Sequence, residues 1–211
     1  MKLLDKIVEF ILKMTKKYNI DDSHSITHSF DIFHYTNEIY TDELSKNPQL
    51  KKYEKIIFVS SLIHDMCDKK YMELEQGIKE VEDFLVNTET LSFDEIIMIR
   101  KIIETMSYST VKKNGFPELG EYQMAYHIVR EADLLCAYDV DRCIIFHLYN
   151  NTPNNNMKQA VQNADHLFTN RIFKHREHGL ILLNYSNNII PILERESIVK
   201  LGRWKNTIKT F

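Results

Sequence analysis

The stretch Ile56-Ile57-Phe58-Val59 is apolar on nearly every side, and the run it belongs to closes on the consecutive pair His64-Asp65. A helix over about Leu50 to Asp65 that is apolar all round belongs in a core. An imidazole and a carboxylate at its buried end are costly to desolvate unless something compensates them. The chain must therefore wrap other elements around this helix and bring compensating charge to its end. Those elements are expected to be helices, because glycine occurs only five times and proline four times in 211 residues, low for a β-rich or loop-rich protein. Leu, Ile, Glu, Lys and Met dominate instead, and most of these favour helix. With 44% apolar residues, the length suffices for one core. The expectation is an all-α, single-domain helical bundle over residues 1–211.

Periodicity supplies the other helices. Leu3, Leu4, Ile7, Val8, Ile11 and Leu12 recur at helical spacing, predicting a helix to about Tyr18. Asp21-Asp22-Ser23 offers caps for a second, which carries Ile26, Phe30, Phe33 and Ile39 inward and fades near Thr41. A fourth helix is expected over about Tyr71 to Val86. A fifth follows the Ser92 cap, with Ile96, Ile99, Ile102 and Ile103 recurring. Residues 108–120 hold two glycines and a proline and read as a functional loop. A sixth helix runs from about Glu121 to Tyr138, followed by a short apolar piece, Cys143 to Tyr149. Residues 150–156 read as an exposed loop, and two last helices cover about 158–174 and 176–200.

Charge and cysteine content narrow the function. The formal charge is −3, and basic pairs such as Lys16-Lys17 and Lys112-Lys113 are isolated, so no extended nucleic-acid partner is expected. Three cysteines, Cys67, Cys136 and Cys143, make no CxxC pair, which fits a reducing, cytoplasmic setting. The N-terminus reads as an amphipathic helix rather than a signal peptide, and no apolar run reaches membrane-spanning length.

A divalent cation would compensate His64 and Asp65. Neighbours on a helix point about 100° apart, so both face one ion only where the helix ends and other residues complete the shell. His28 on the second helix and Asp133, embedded in the apolar stripe Ala132 to Leu135, are available. Two imidazoles and two carboxylates from three helices make a mixed nitrogen–oxygen site for one metal, unlike a closed structural zinc site. Such a shell suits manganese, iron, magnesium, nickel or an open catalytic zinc. His34, His127, His147, His166, His175 and His178 fall in no further ligand motif.

The order of these residues is specific. Asp22-Ser23-His24 with His28 following, then Leu62-Ile63-His64-Asp65 with Asp68 and Lys70, then Glu131-Ala132-Asp133, resembles the signature of the HD-domain phosphohydrolase superfamily, in particular its short single-domain members. The likeness is strongest over about residues 20 to 140 and weaker in the C-terminal helices. It implies a helical bundle around one metal held by His28, His64, Asp65 and Asp133, with manganese or magnesium in turnover. It also implies hydrolysis of a phosphoester or phosphoanhydride bond in a nucleotide or other small phosphorylated metabolite.

On that reading the metal activates water. Asp68, three residues after Asp65 and one helical turn on, orients the water or moves its proton, and related alarmone hydrolases carry a carboxylate at this offset. Lys70 belongs to the same catalytic group. Lys69 is a candidate phosphate contact as a point charge, and Arg130 in bidentate fashion. His24, four residues before His28, is a further candidate for substrate contact, while Ser107, Tyr108 and Ser109 are placed at the pocket entrance. Ser25, Glu131 and Cys136 stand where the subgroup commonly has aspartates, which bears on substrate preference. The protein is expected to be a monomer or homodimer. The alternative from another class is a metal- and nucleotide-binding regulatory module without turnover. An oxygenase on the same scaffold would need two irons, for which no extra ligand motif exists.

Overall fold

In the computed structural model residues 2–150 and 156–210 are described, and they are all-helical. The first half comprises α1 (Leu3–Tyr18), α2 (Ile26–Lys46), α3 (Glu54–Ile63), α4 (Leu74–Asn87) and α5 (Phe93–Thr105). The second comprises α6 (Tyr108–Asn114), α7 (Gln123–Cys136), α8 (Val140–Asn150), α9 (Met157–Asn170) and α10 (Asn184–Thr210). Short 3-10 turns occupy Pro48–Tyr53, His64–Cys67, Gly120–Tyr122 and Ile172–Lys174. All ten helices contribute buried side chains to one continuous core. Among the described residues no helix is long and apolar enough to cross a membrane.

The centre is α3. Ile56, Ile57, Val59, Leu62 and Ile63 are buried, as a largely apolar helix requires, and α2, α5 and α7 pack around it. α2 also lies along α7, so the carriers of His28 and Asp133 flank the end of α3. On the outside α1 buries Ile7, Phe10, Ile11 and Met14, and Phe10 stacks on Phe84 of α4 with ring centroids 4.1 Å apart. Leu4 and Leu12, read as part of the same stripe, are about half exposed. Phe30, expected inward, is likewise exposed.

Several boundaries differ from the periodicity for identifiable reasons. α3 proper is shorter than its apolar run, because 3-10 turns precede and follow it. α2 continues past Thr41 to Lys46, where Lys46 pairs with Asp42 at 2.5 Å and Glu43 at 2.9 Å. Its N-cap is Ser25, which makes no side-chain cap; the Asp21 side chain serves elsewhere. Residues 108–120 are not simply a loop: Ser107 accepts from the Thr110 N–H at 3.2 Å and starts α6. Gly115, at φ 77°, ends it. The Cys143–Tyr149 piece belongs to the longer α8. Of the expected exposed loop at 150–156, residues 151–155 lie outside the described residues, while Asn150 ends α8 and Asn156 caps α9.

The last helix begins at Asn184 rather than 176. Residues 175–183 turn instead, with Gly179 at φ 67°. The N–H groups of Leu182 and Leu183 then donate to the carboxylate of buried Glu131, at 2.8 and 3.2 Å. A carboxylate fifty residues away thus accepts from the backbone leading into α10, a role for which no local sequence signal exists.

One glycine sets how closely α4 approaches the functional end of α3. A Cβ on Gly77 would lie 2.9 Å from Cys67 Cα and 2.8 Å from Met72 Sδ. Gly77→Ala is expected to destabilise the protein by about 1–3 kcal/mol through overpacking against backbone. Gly202→Ala in α10, where nothing lies within 4 Å, is expected to be neutral or to stabilise by up to about 1 kcal/mol. Urea unfolding of the two variants checks both; equal effects would contradict this account of the packing.

Candidate metal centre

At Ile63 the α-helix tightens into the 3-10 turn His64–Cys67. The Ser61 carbonyl faces the His64 ring, and His64 Nδ1 lies 2.9 Å from it. A carbonyl only accepts, so the ring proton sits on Nδ1 and Nε2 is the nitrogen presented inward. His64 Nε2 lies 3.2 Å from Asp65 Oδ1, and His28 Nε2 lies 3.3 Å from Asp65 Oδ2. The two imidazoles are 5.5 Å apart between centroids. His28, His64 and Asp65 are all buried and offer ligand atoms within 4.8 Å of one another, so the group can hold a metal ion. Among the described residues no other group of this kind is present.

The donor set passes a chemical test of fit. His64 Nε2 and Asp65 Oδ2 are buried and without hydrogen-bond partners, which is costly unless a cation takes up their lone pairs. The protonation equilibria agree for Asp65 and His28, whereas His64 is held protonated, so a cation would have to displace its Nε2 proton. Burial opposes charge on His64, but the Asp65 carboxylate outweighs it and raises the imidazole to about 9. Burial likewise disfavours the Asp65 carboxylate, yet His64, His24 and His28 hold it well below the ordinary 3.8. His28 is pushed down to about 3 by burial and by the Arg142 charge, leaving it neutral. Metal ligation requires an ionised carboxylate and a neutral imidazole; Asp65 and His28 are already in those states.

Asp133 Oδ1 is 3.8 Å from His28 Nε2, adjacent to the trio but outside its tightest grouping, and its side chain faces the cavity. That cavity, about 340 Å³, is large enough for a small ligand. It takes in His28, His64, Asp65 and Asp133 together with His24, Asp68, Lys69, Lys70 and Ser107. Tyr108 and Ser109 line it too, as the sequence predicted. Asp68 reaches it by a different route from the one expected. The helix has already ended there, and Asp68 is extended at φ −67°, ψ 126°. Its carboxylate accepts from the Lys70 N–H at 2.9 Å and pairs with Lys70 Nζ at 3.1 Å.

Lys70 is held by a chain of polar groups that sequence reading missed. Tyr71 and Ser23 donate their hydroxyl protons to Asp21, Tyr71 at 2.6 Å and Ser23 to the other carboxylate oxygen. Both hydroxyls also lie against His24 Nδ1, at 2.9 and 2.7 Å. With their protons committed they accept there, so His24 carries its proton on Nδ1. Nε2 is then free to accept from Lys70 Nζ at 3.1 Å. His24 is thus placed to position Lys70, and Asp21, read from the sequence as a helix cap, anchors the chain.

Arg130 is a correction. It lies outside the cavity and is almost completely buried, paired with Glu131 at 3.1 Å and packed over the Phe116 ring at 4.8 Å. It cannot serve as a substrate contact there. The cavity instead contains Arg142 and Arg171, which the sequence did not single out. Arg142 Nη1 donates to the Ser23 carbonyl at 3.0 Å and to His28 Nε2 at 3.1 Å. Cys67 also faces the cavity, but burial and the neighbouring Asp65 charge raise its thiol to about 12, keeping it protonated. No family model, curated protein or solved structure matches this chain.

Burial favours the neutral Asp21 carboxyl, but the His24 ring and the Ser23 and Tyr71 donors outweigh it and hold the group well below 3.8. A folded-state pKa below the unfolded one adds stability that is full above about pH 4 and is lost as the pH falls further. Asp21→Asn is therefore expected to cost about 1.5–3 kcal/mol at neutral pH, the scale of hydrogen bonds to a charged group. The difference from the parent should shrink below about pH 4. Denaturant titrations at pH 7 and pH 3 measure it, and a pH-independent difference would contradict the assignment.

Proposed function

We propose that the protein is a metal-dependent phosphohydrolase acting on a phosphoester or phosphoanhydride of a nucleotide or other small phosphorylated metabolite. The observation that carries this reading is the buried His28–His64–Asp65 group, with its unpartnered lone pairs, in one cavity with Asp133, Asp68 and Lys70. The resemblance of the ordered motifs to HD-domain phosphohydrolases supports it.

His28, His64, Asp65 and Asp133 would hold the ion, with manganese or magnesium favoured for turnover. When bound, the divalent ion supplies an acidified water and neutralises phosphoryl charge. Asp68 accepts the water's proton or returns one to the leaving group. Lys70 meets phosphoryl oxygens as a point charge, and its fixed partners His24 and Asp68 keep its ammonium in place without a search through rotamers. Exposed Lys69 lies at the cavity wall as a further cation. Ser107 lines the cavity, but its oxygen caps α6 and its hydroxyl also lies 2.7 Å from Thr110 Oγ1.

Expected outcomes separate binding from chemistry. Manganese or magnesium should raise the thermal midpoint, and His64→Ala or Asp65→Ala should abolish both that shift and the release of phosphate or pyrophosphate from a nucleotide panel. Asp68→Asn should keep the shift while lowering kcat by roughly 10²–10⁴-fold. If the metal-loaded protein binds nucleotides in calorimetry but turns none over, the regulatory-module reading replaces this one.

A further inference from the structure

Two cationic side chains of the cavity are left unused by this mechanism. Lys70 is committed to Asp68 and His24. Arg142 and Arg171 line the same cavity, yet neither forms an ion pair with a described carboxylate. Arg142 spends Nη1 on the Ser23 carbonyl and His28, while its Nε is enclosed and has no hydrogen-bond partner. Arg171, at the end of α9, places its guanidinium over the Tyr108 ring, 3.9 Å from the centroid. That contact with the ring face uses none of its N–H groups.

Partly enclosed guanidinium groups with free donors are costly unless an anion meets them. Burial, and last the Arg142 charge, lower Arg171 against the Asp133 carboxylate, which favours the charged form of both arginines. An anion between them would relieve both terms. Arg142 has a further reason to turn to such a ligand: a cation taking the His28 Nε2 lone pair releases the Nη1 donor now pointed at it.

We infer that Arg171, with Arg142, forms a second phosphoryl subsite beside the metal centre, so that the substrate carries at least two linked phosphoryl groups. One phosphoryl lies by the His/Asp group and Lys70, the other on the guanidinium pair. This selects a phosphoanhydride over a simple monoester. It rests on the phosphohydrolase reading for the position of the first phosphoryl, whereas the subsite itself is defined by the arginines.

Calorimetry on the full chain, with and without magnesium, using methylenediphosphonate (whose bridge cannot be hydrolysed) and orthophosphate, tests the inference. The diphosphonate should bind at least about tenfold more tightly than orthophosphate, since a second charge-assisted fork contact is made. Arg171→Gln should remove most of that preference while changing orthophosphate affinity less than about twofold, and Arg171→Lys should restore part of it. No preference in the parent protein, or equal loss for both anions in Arg171→Gln, would overturn the subsite. If Arg171→Gln does not fold, Tyr108→Leu, which removes the platform and leaves the charge, should reduce the same preference; an unchanged preference overturns it. Manganese titration of the same proteins is read separately. Failure to bind metal alongside an intact Arg171-dependent preference would sink the hydrolase reading and leave the subsite standing.

Discussion

The Asp65 carboxylate lies within 3.3 Å of two imidazole nitrogens, at the buried end of a helix whose last five residues are all buried. A charge in that position is tolerated only where neighbours favour its ionised form, and the surrounding elements supply them. α2 brings His28, the turn after α3 brings His64, α7 brings Asp133 and α8 brings Arg142. The packing of α2 against both α3 and α7 follows from this requirement as much as from apolar burial, because those helices carry the groups that face the carboxylate.

The break at Ile63 is the second element of the design. Where the helix tightens to a 3-10 turn, the Ser61 carbonyl lies 2.9 Å from His64 Nδ1 and orients the ring. The chain then leaves in extended form, and Asp68 stands over the cavity. Gly77 lets α4 seat against Cys67, so the turn is braced from behind by backbone rather than by a side chain. Nearby, the Asp21–Tyr71–His24 chain fixes Lys70, and Glu131 with Arg130 ties the C-terminal segment to α7. Both are buried polar assemblies in which each member's orientation depends on the next.

Much of the helical layout was legible in the sequence, because apolar spacing reports which face of a helix is buried whatever it packs against. α1, α5 and α7 were placed to within a few residues on that basis, and the apolar run Ile56–Ile63 marked the core. The misplacements have a common cause. α6 was hidden by Gly115, Pro117 and Gly120, although Ser107 offers a local cap. The start of α10 was missed because its leading N–H groups are satisfied by Glu131, fifty residues away. Phe30 was assigned to the core because its side chain type is apolar; its exposure is set by which face of α2 meets α3 and α7.

For the site, the sequence by itself determined the residue types and their order: His28, the His64-Asp65 pair, Asp68, Lys70 and Asp133. Buried charge in apolar helices stands out in one dimension, since each such residue violates its local pattern. Only the tertiary structure decided which cations face the cavity. Arg130, next to Glu131 and three residues before Asp133, turns away into a buried ion pair, whereas Arg142 on α8 and Arg171 just past the end of α9 line the cavity. Nothing local distinguishes these three arginines. Their roles depend on which helix faces each side chain across the core, and that relation exists only once α7, α8 and α9 have packed.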